Sequence, residues 1–181
     1  MYKWFIVSLI FLVSCGGSIP CGAEYDYYVK GLCVDSNRYY VNEANLQTTL
    51  NITEEEFNRF YPNNPVDLES LFVEYQVTME FVEFLGPYIR GVTLSDRRHP
   101  ETGDYLPPKI YVLEQYCSFR TYVVGHEVYH IVADYHLELK NADLGGHYIP
   151  NVFTEWADAD GVPRTETAEH FLYERVKPLC E

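Results

Sequence analysis

From Val123 to Leu139, apolar residues fall at 123, 124, 128, 131, 132, 135 and 139, with neither Gly nor Pro between 126 and 140. That spacing predicts a helix with one buried stripe, starting near Cys117 or Ser118 and running through Lys140. It carries Gly125-His126-Glu127-Val128-Tyr129-His130. At about 100° of turn per residue, imidazoles four positions apart leave the same helix face, so His126 and His130 can hold one zinc ion. Glu127, between them, is placed as general base toward a water that such an ion would acidify. Catalytic zinc takes three protein ligands, so a third is still required.

The rest of the chain is read as the scaffold of this helix. With 181 residues, 47% hydrophobic and 22% charged, it suits one globular domain with its own core. The formal net charge of −14 would repel a phosphate backbone, which excludes nucleic acid as a natural partner. Lys109–Glu114 reads as a strand just before the motif helix, and its exposed edge is expected to bind an extended peptide substrate by main-chain hydrogen bonds. Tyr88–Leu94 is a second strand, and 95–108 a charged loop in which His99 is expected to be solvated. Thr53-Glu54-Glu55-Glu56 has the form of a capping box, predicting a helix from Thr53 to about Tyr61 before Pro62. Leu68, Leu71, Phe72, Tyr75, Met79 and Val82 recur at helical spacing, predicting a long amphipathic helix over 66–85. Val77, Met79 and Phe81 also alternate as a strand would. A short strand is expected at 38–41. A last helix, capped by Thr165, carries Ala168, Phe171, Leu172 and Val176.

The first 14 residues place Lys3 before a run from Trp4 to Val13, too short to span a bilayer comfortably, as in a secretion signal. Leu12-Val13-Ser14-Cys15-Gly16 resembles the bacterial lipobox, which implies a lipid on Cys15 and a protein anchored to a membrane of the bacterial cell envelope. Cleavage after Ala23 is the alternative. Of five cysteines, lipidation of Cys15 leaves Cys21, Cys33, Cys117 and Cys180, enough for two disulfides, whereas cleavage after Ala23 leaves an odd three. Cys21 to Cys33 is the expected local bridge. The resulting organisation is a signal peptide at 1–14, a lipidated tether and disulfide-clipped loop at 15–37, and a folded domain at 38–181.

The order strand, loop, H-E-x-x-H helix resembles the zincin metallopeptidases. The resemblance implies an α+β fold, a small domain with a few-stranded mixed sheet packed on the motif helix and a second long helix, and zinc-dependent hydrolysis of peptide bonds in a peptide or protein substrate. For the third ligand, His136 stands at the metzincin distance from His126, but Ala133 replaces that family's bend glycine. On an unbroken helix His136 would point about 80° away from His126. His147 is favoured. Asn141–Gly146 is a strong helix stop, ten residues of helix beyond His130 descend about 15 Å, and the seven-residue return spans up to roughly 23 Å. The segment from His126 to Pro150 also resembles small secreted bacterial H-E-x-x-H lipoproteins, where a histidine after an Asp-containing turn completes the site. Glu155 is the remaining candidate, resembling the gluzincin arrangement. His170 and Tyr148 are donors that could stabilise a tetrahedral intermediate, though both are more readily structural. The competing functional class is a non-catalytic envelope lipoprotein whose metal, or helix alone, serves structure or binding.

Overall fold

The computed structural model describes residues 21–37, 41–87, 89–95, 97–114, 117–137 and 167–180, apart from the side chains of 117–121 and 180. The leader, Cys15, His147, Tyr148 and Glu155 lie outside the described residues, as do the side chains of Cys117 and Cys180. The chain is α+β. Its main sheet has five strands in the order β1-β2-β3-β7-β4: β1 Tyr27–Val29, β2 Leu32–Asp35, β3 Thr78–Val82, β7 Lys109–Leu113 and β4 Gly91–Leu94. β2, β3 and β7 run parallel, while β1 and β4 are antiparallel to their neighbours at the two ends. A two-stranded ribbon, β5 Arg97–Arg98 with β6 Tyr105–Leu106, follows β4 and precedes β7 in the sequence.

Alternation sorts the faces. Leu32, Val34, Met79, Phe81, Ile110 and Val112 point one way, and all are essentially inaccessible to solvent. They share a core with α1 Glu43–Phe60, α2 Leu68–Tyr75, α3 Cys117–Ile131 and α4 Ala168–Val176, to which those helices contribute Leu50, Phe72, Val128 and Leu172. On the opposite face, Lys109 pairs with Glu80 across β7 and β3 at 2.6 Å. No described helix is long and apolar enough to cross a membrane.

Several expectations are corrected. The stretch expected to be tether and clipped loop contains a β-hairpin that belongs to the sheet: Lys30 and Gly31, both at positive φ, make its two-residue turn. The expected Cys21–Cys33 disulfide is present and joins the chain ahead of the hairpin to its second strand. The helix expected to begin at Thr53 begins ten residues earlier, where the Asn42 side chain accepts from Asn45 N at 3.1 Å. Thr53 lies inside the helix with its hydroxyl on the Thr49 carbonyl, and Glu56 meets Arg175 instead of the helix start.

The long helix expected over 66–85 stops at Tyr75. Gln76 takes the left-handed conformation (φ 53°) as its C-cap, and the chain enters β3 two residues later. The alternation of Val77, Met79 and Phe81 was therefore the informative pattern at that end. No strand is formed by Val41; residues 38–40 are outside the described set. β7 is not an edge, because β4 covers its side away from β3. The last helix is capped by Thr167, whose side chain accepts from His170 N at 3.2 Å.

Candidate metal centre

α3 follows β7 and lies against α1, α4 and β4, which brings the motif between the C-terminal helix and the end strand of the sheet. Its approach to the neighbouring helices depends on Gly125. A Cβ there would fall on Leu172 Cδ2 of α4 and 2.7 Å from Thr53 Oγ1 of α1. No bulkier residue allows three helix axes to close on that point.

The expected convergence is present. One ligating atom each from His126, Glu127 and His130 lie within 4.8 Å of one another, and the two imidazole rings stand 5.0 Å apart at 79°. His126 retains 14% of its side-chain exposure, and Glu127 is 4% exposed. A nearly dry site of this kind strengthens whatever charge interactions it contains.

Two neighbours not foreseen from sequence orient the motif. Glu169 of α4, 1% exposed, brings Oε1 to 2.6 Å from His126 Nδ1 and accepts a hydrogen bond from the Tyr122 hydroxyl on the same oxygen. A carboxylate on Nδ1 requires the proton there, which leaves the lone pair on Nε2, the tautomer a metal-ligating histidine needs. On the other side, Thr93 Oγ1 of β4 is 2.7 Å from Glu127 Oε2 and 2.9 Å from the Glu127 main-chain carbonyl. Beneath the same side chain is Gly91, where a Cβ would stand 2.5 Å from Glu127 Oε1.

Burial disfavours the ionised carboxylate of Glu127 and raises its proton affinity, more than the His126 charge and the Thr93 bond lower it. For His126, burial pulls the proton affinity down, but the Glu169 hydrogen bond and charge, with Glu127 behind them, leave it raised. The Tyr122 phenol, buried beside Glu169, is pushed far up and remains a donor.

After Ile131 the helix widens into a π turn, Val132–His136, closed by Leu137 N on the Val132 carbonyl at 3.0 Å. The α-helix expected through Lys140 therefore ends early, with 138–140 outside the described residues. The turn carries Tyr135, whose ring lies 4.4 Å from Tyr75 and whose hydroxyl donates to the Ser95 carbonyl just after β4. His136 points toward α1. Its Nε2 is 3.0 Å from the Asn64 carbonyl, and its ring meets Phe57 edge-on at 6.0 Å, so it is not among the clustered ligand atoms. His99 caps its own turn, accepting at Nδ1 from Glu101 N and Thr102 N. His170 buries Nδ1 with no hydrogen-bond partner among the described residues.

Tyr122 could have been found in the sequence, one helical turn before His126 on the same face. Glu169 and Thr93 could not: they stand 43 and 34 residues from their partners and follow no local period.

The donor set suits a borderline cation such as zinc: two imidazoles at helical spacing, one with its tautomer set, beside a buried carboxylate. No family model, curated protein or solved structure matches the chain.

Proposed function

We propose that the protein is a zinc-dependent hydrolase of peptide bonds, with the ion held by His126, His130 and a third side chain, His147 in preference to Glu155. The observation that carries this reading is the convergence of His126, Glu127 and His130, with Glu169 placed to hold His126 in its ligating tautomer. Zinc bound there supplies Lewis acidity, which brings the ionisation of water toward neutral pH and polarises a carbonyl. Glu127 removes the proton from the attacking water and delivers it to the departing amine; its raised proton affinity suits a group that must hold that proton between the two steps.

The edge for an extended substrate is β4. Leu113 N donates to the Arg90 carbonyl at 2.8 Å, and Gly91 stands opposite Val112. The alternation of an antiparallel ladder then assigns Val92 and Leu94 to bonded pairs with β7. It turns the main-chain N–H and C=O of Gly91 and Thr93 outward, to the edge left free among the described residues. A substrate strand bonded to those two residues would lie beside Glu127.

Glu127→Gln tests the mechanism: the purified protein should keep about one zinc per chain and lose cleavage of casein. Unchanged turnover removes Glu127 from the chemistry. If chelation melts the domain and wild type cleaves nothing, the metal is structural and the non-catalytic lipoprotein reading stands. Anchoring through Cys15 belongs to the same proposal, and loss of radiolabelled palmitate incorporation in Cys15→Ala is its check.

A further inference from the structure

Glu127 is held from two sides by the same strand. Gly91 leaves room for its carboxylate and nothing more, a Cβ there standing 2.7 Å from Glu127 Cγ as well as 2.5 Å from Oε1. Two residues along on the same strand face, the Thr93 hydroxyl stands within hydrogen-bond distance of both Oε2 and the main-chain carbonyl of Glu127. One hydroxyl hydrogen faces two acceptors. With Glu127 ionised, that hydrogen can go to Oε2. With Glu127 carrying a proton, the carboxyl can donate to Thr93 Oγ1 while the Thr93 hydrogen turns to the main-chain carbonyl. A hydroxyl beside a second acceptor thus keeps hold of the side chain on both sides of a proton transfer; a group that only donates or only accepts would not.

From this geometry we infer that Thr93 is the positioning residue of the general base, and that it links the base to occupancy of the sheet edge. The link is that the main-chain groups of Thr93 face the edge of β4 that no described strand covers, while its side chain holds Glu127. A polypeptide strand paired to β4 is thereby bonded to the residue that sets the carboxylate's direction, so strand placement and base placement are fixed together. The inference rests on the proposed role of Glu127 as base.

The test compares zinc-loaded wild type, Thr93→Val and Thr93→Ser. Valine keeps the shape and removes the hydroxyl; serine keeps the hydroxyl. With fluorescent casein as probe, Thr93→Val should lower kcat about 10- to 100-fold, the scale of a reacting group displaced by an ångström. KM, zinc content and melting temperature should stay unchanged, and Thr93→Ser should recover most of kcat. A kcat loss that serine does not restore, or one accompanied by loss of zinc or of thermal stability, shows a packing role and overturns the inference, as does an unchanged kcat.

The side-chain rotamer of Glu127, read by nuclear magnetic resonance couplings, gives a second result independent of turnover. It should be single in wild type and averaged in Thr93→Val; a single rotamer in both overturns the inference. If wild type does not cleave casein, the proposed hydrolysis falls, and the rotamer comparison still decides whether Thr93 holds Glu127.

Discussion

Replacing Glu169 by glutamine keeps the size of a side chain that is 1% exposed and removes its charge. In the wild type, one carboxylate oxygen takes both His126 Nδ1–H and the Tyr122 hydroxyl. The amide oxygen can still accept, so these two bonds change from charge-assisted to neutral and both donors keep an acceptor. Bonds to charged groups contribute about 1.5–3 kcal/mol against about 1 for neutral ones, so His126 loses about 0.5–2 kcal/mol of orientation and basicity. Carboxylates behind ligating histidines carry about 10- to 100-fold in metal affinity, or about 1.4–2.7 kcal/mol, a range that overlaps the upper part of that figure. Glu169→Ala is a harsher change: it strands two buried donors at about 1–3 kcal/mol each, a large part of the roughly 5–15 kcal/mol that holds a domain together.

The measurement is a competition titration of zinc against a chromophoric chelator near pH 7.5, with urea unfolding of the metal-free proteins alongside. Glu169→Gln should weaken zinc about 10- to 100-fold and leave the metal-free protein folded. Zinc affinity equal to wild type in a folded Glu169→Gln protein would mean that the carboxylate does not steer His126.

Two further results are expected. Gly125→Ala gains about 1 kcal/mol in helix propensity but drives a methyl into Leu172 and to 2.7 Å from Thr53 Oγ1, an overpacking of about 1–3 kcal/mol; denaturant unfolding should show a net loss, and a gain would refute the close helix contact. Burial raises the proton affinity of Glu127 above that of an unfolded glutamate, so its favourable contribution to folding is present in acid and lost as pH rises through its folded pKa. Metal-free Glu127→Gln should therefore be more stable than wild type at pH 7, with the gap closing below about pH 4; urea unfolding between those limits checks it, and a gap that widens in acid contradicts the sign.

The pairing of His126 with His130 was legible because it is local. Four residues of helix bring two rings to one face whatever surrounds them. The strands expected over 88–94 and 109–114, found at 91–94 and 109–113, and the core stripe of the motif helix were legible for the same reason, since a period of two or 3.6 is written in consecutive residues. Where signals competed locally, reading failed. Thr53 and Glu56 imitate a helix start inside a helix already under way from Asn42, and the stop at Gln76 relies on a left-handed residue that is not the customary glycine.

What tertiary structure decided is the environment of the donors. Glu169 reaches His126 because α4 packs against α3, Thr93 and Gly91 reach Glu127 because β4 adds antiparallel to β7, and Gly125 is needed because three helices meet there. Each of these contacts joins residues tens of positions apart, where no periodicity connects them. The chain's local chemistry therefore specified which groups could meet a metal, and long-range packing specified which nitrogen of His126 carries the proton and which strand edge lies beside the base.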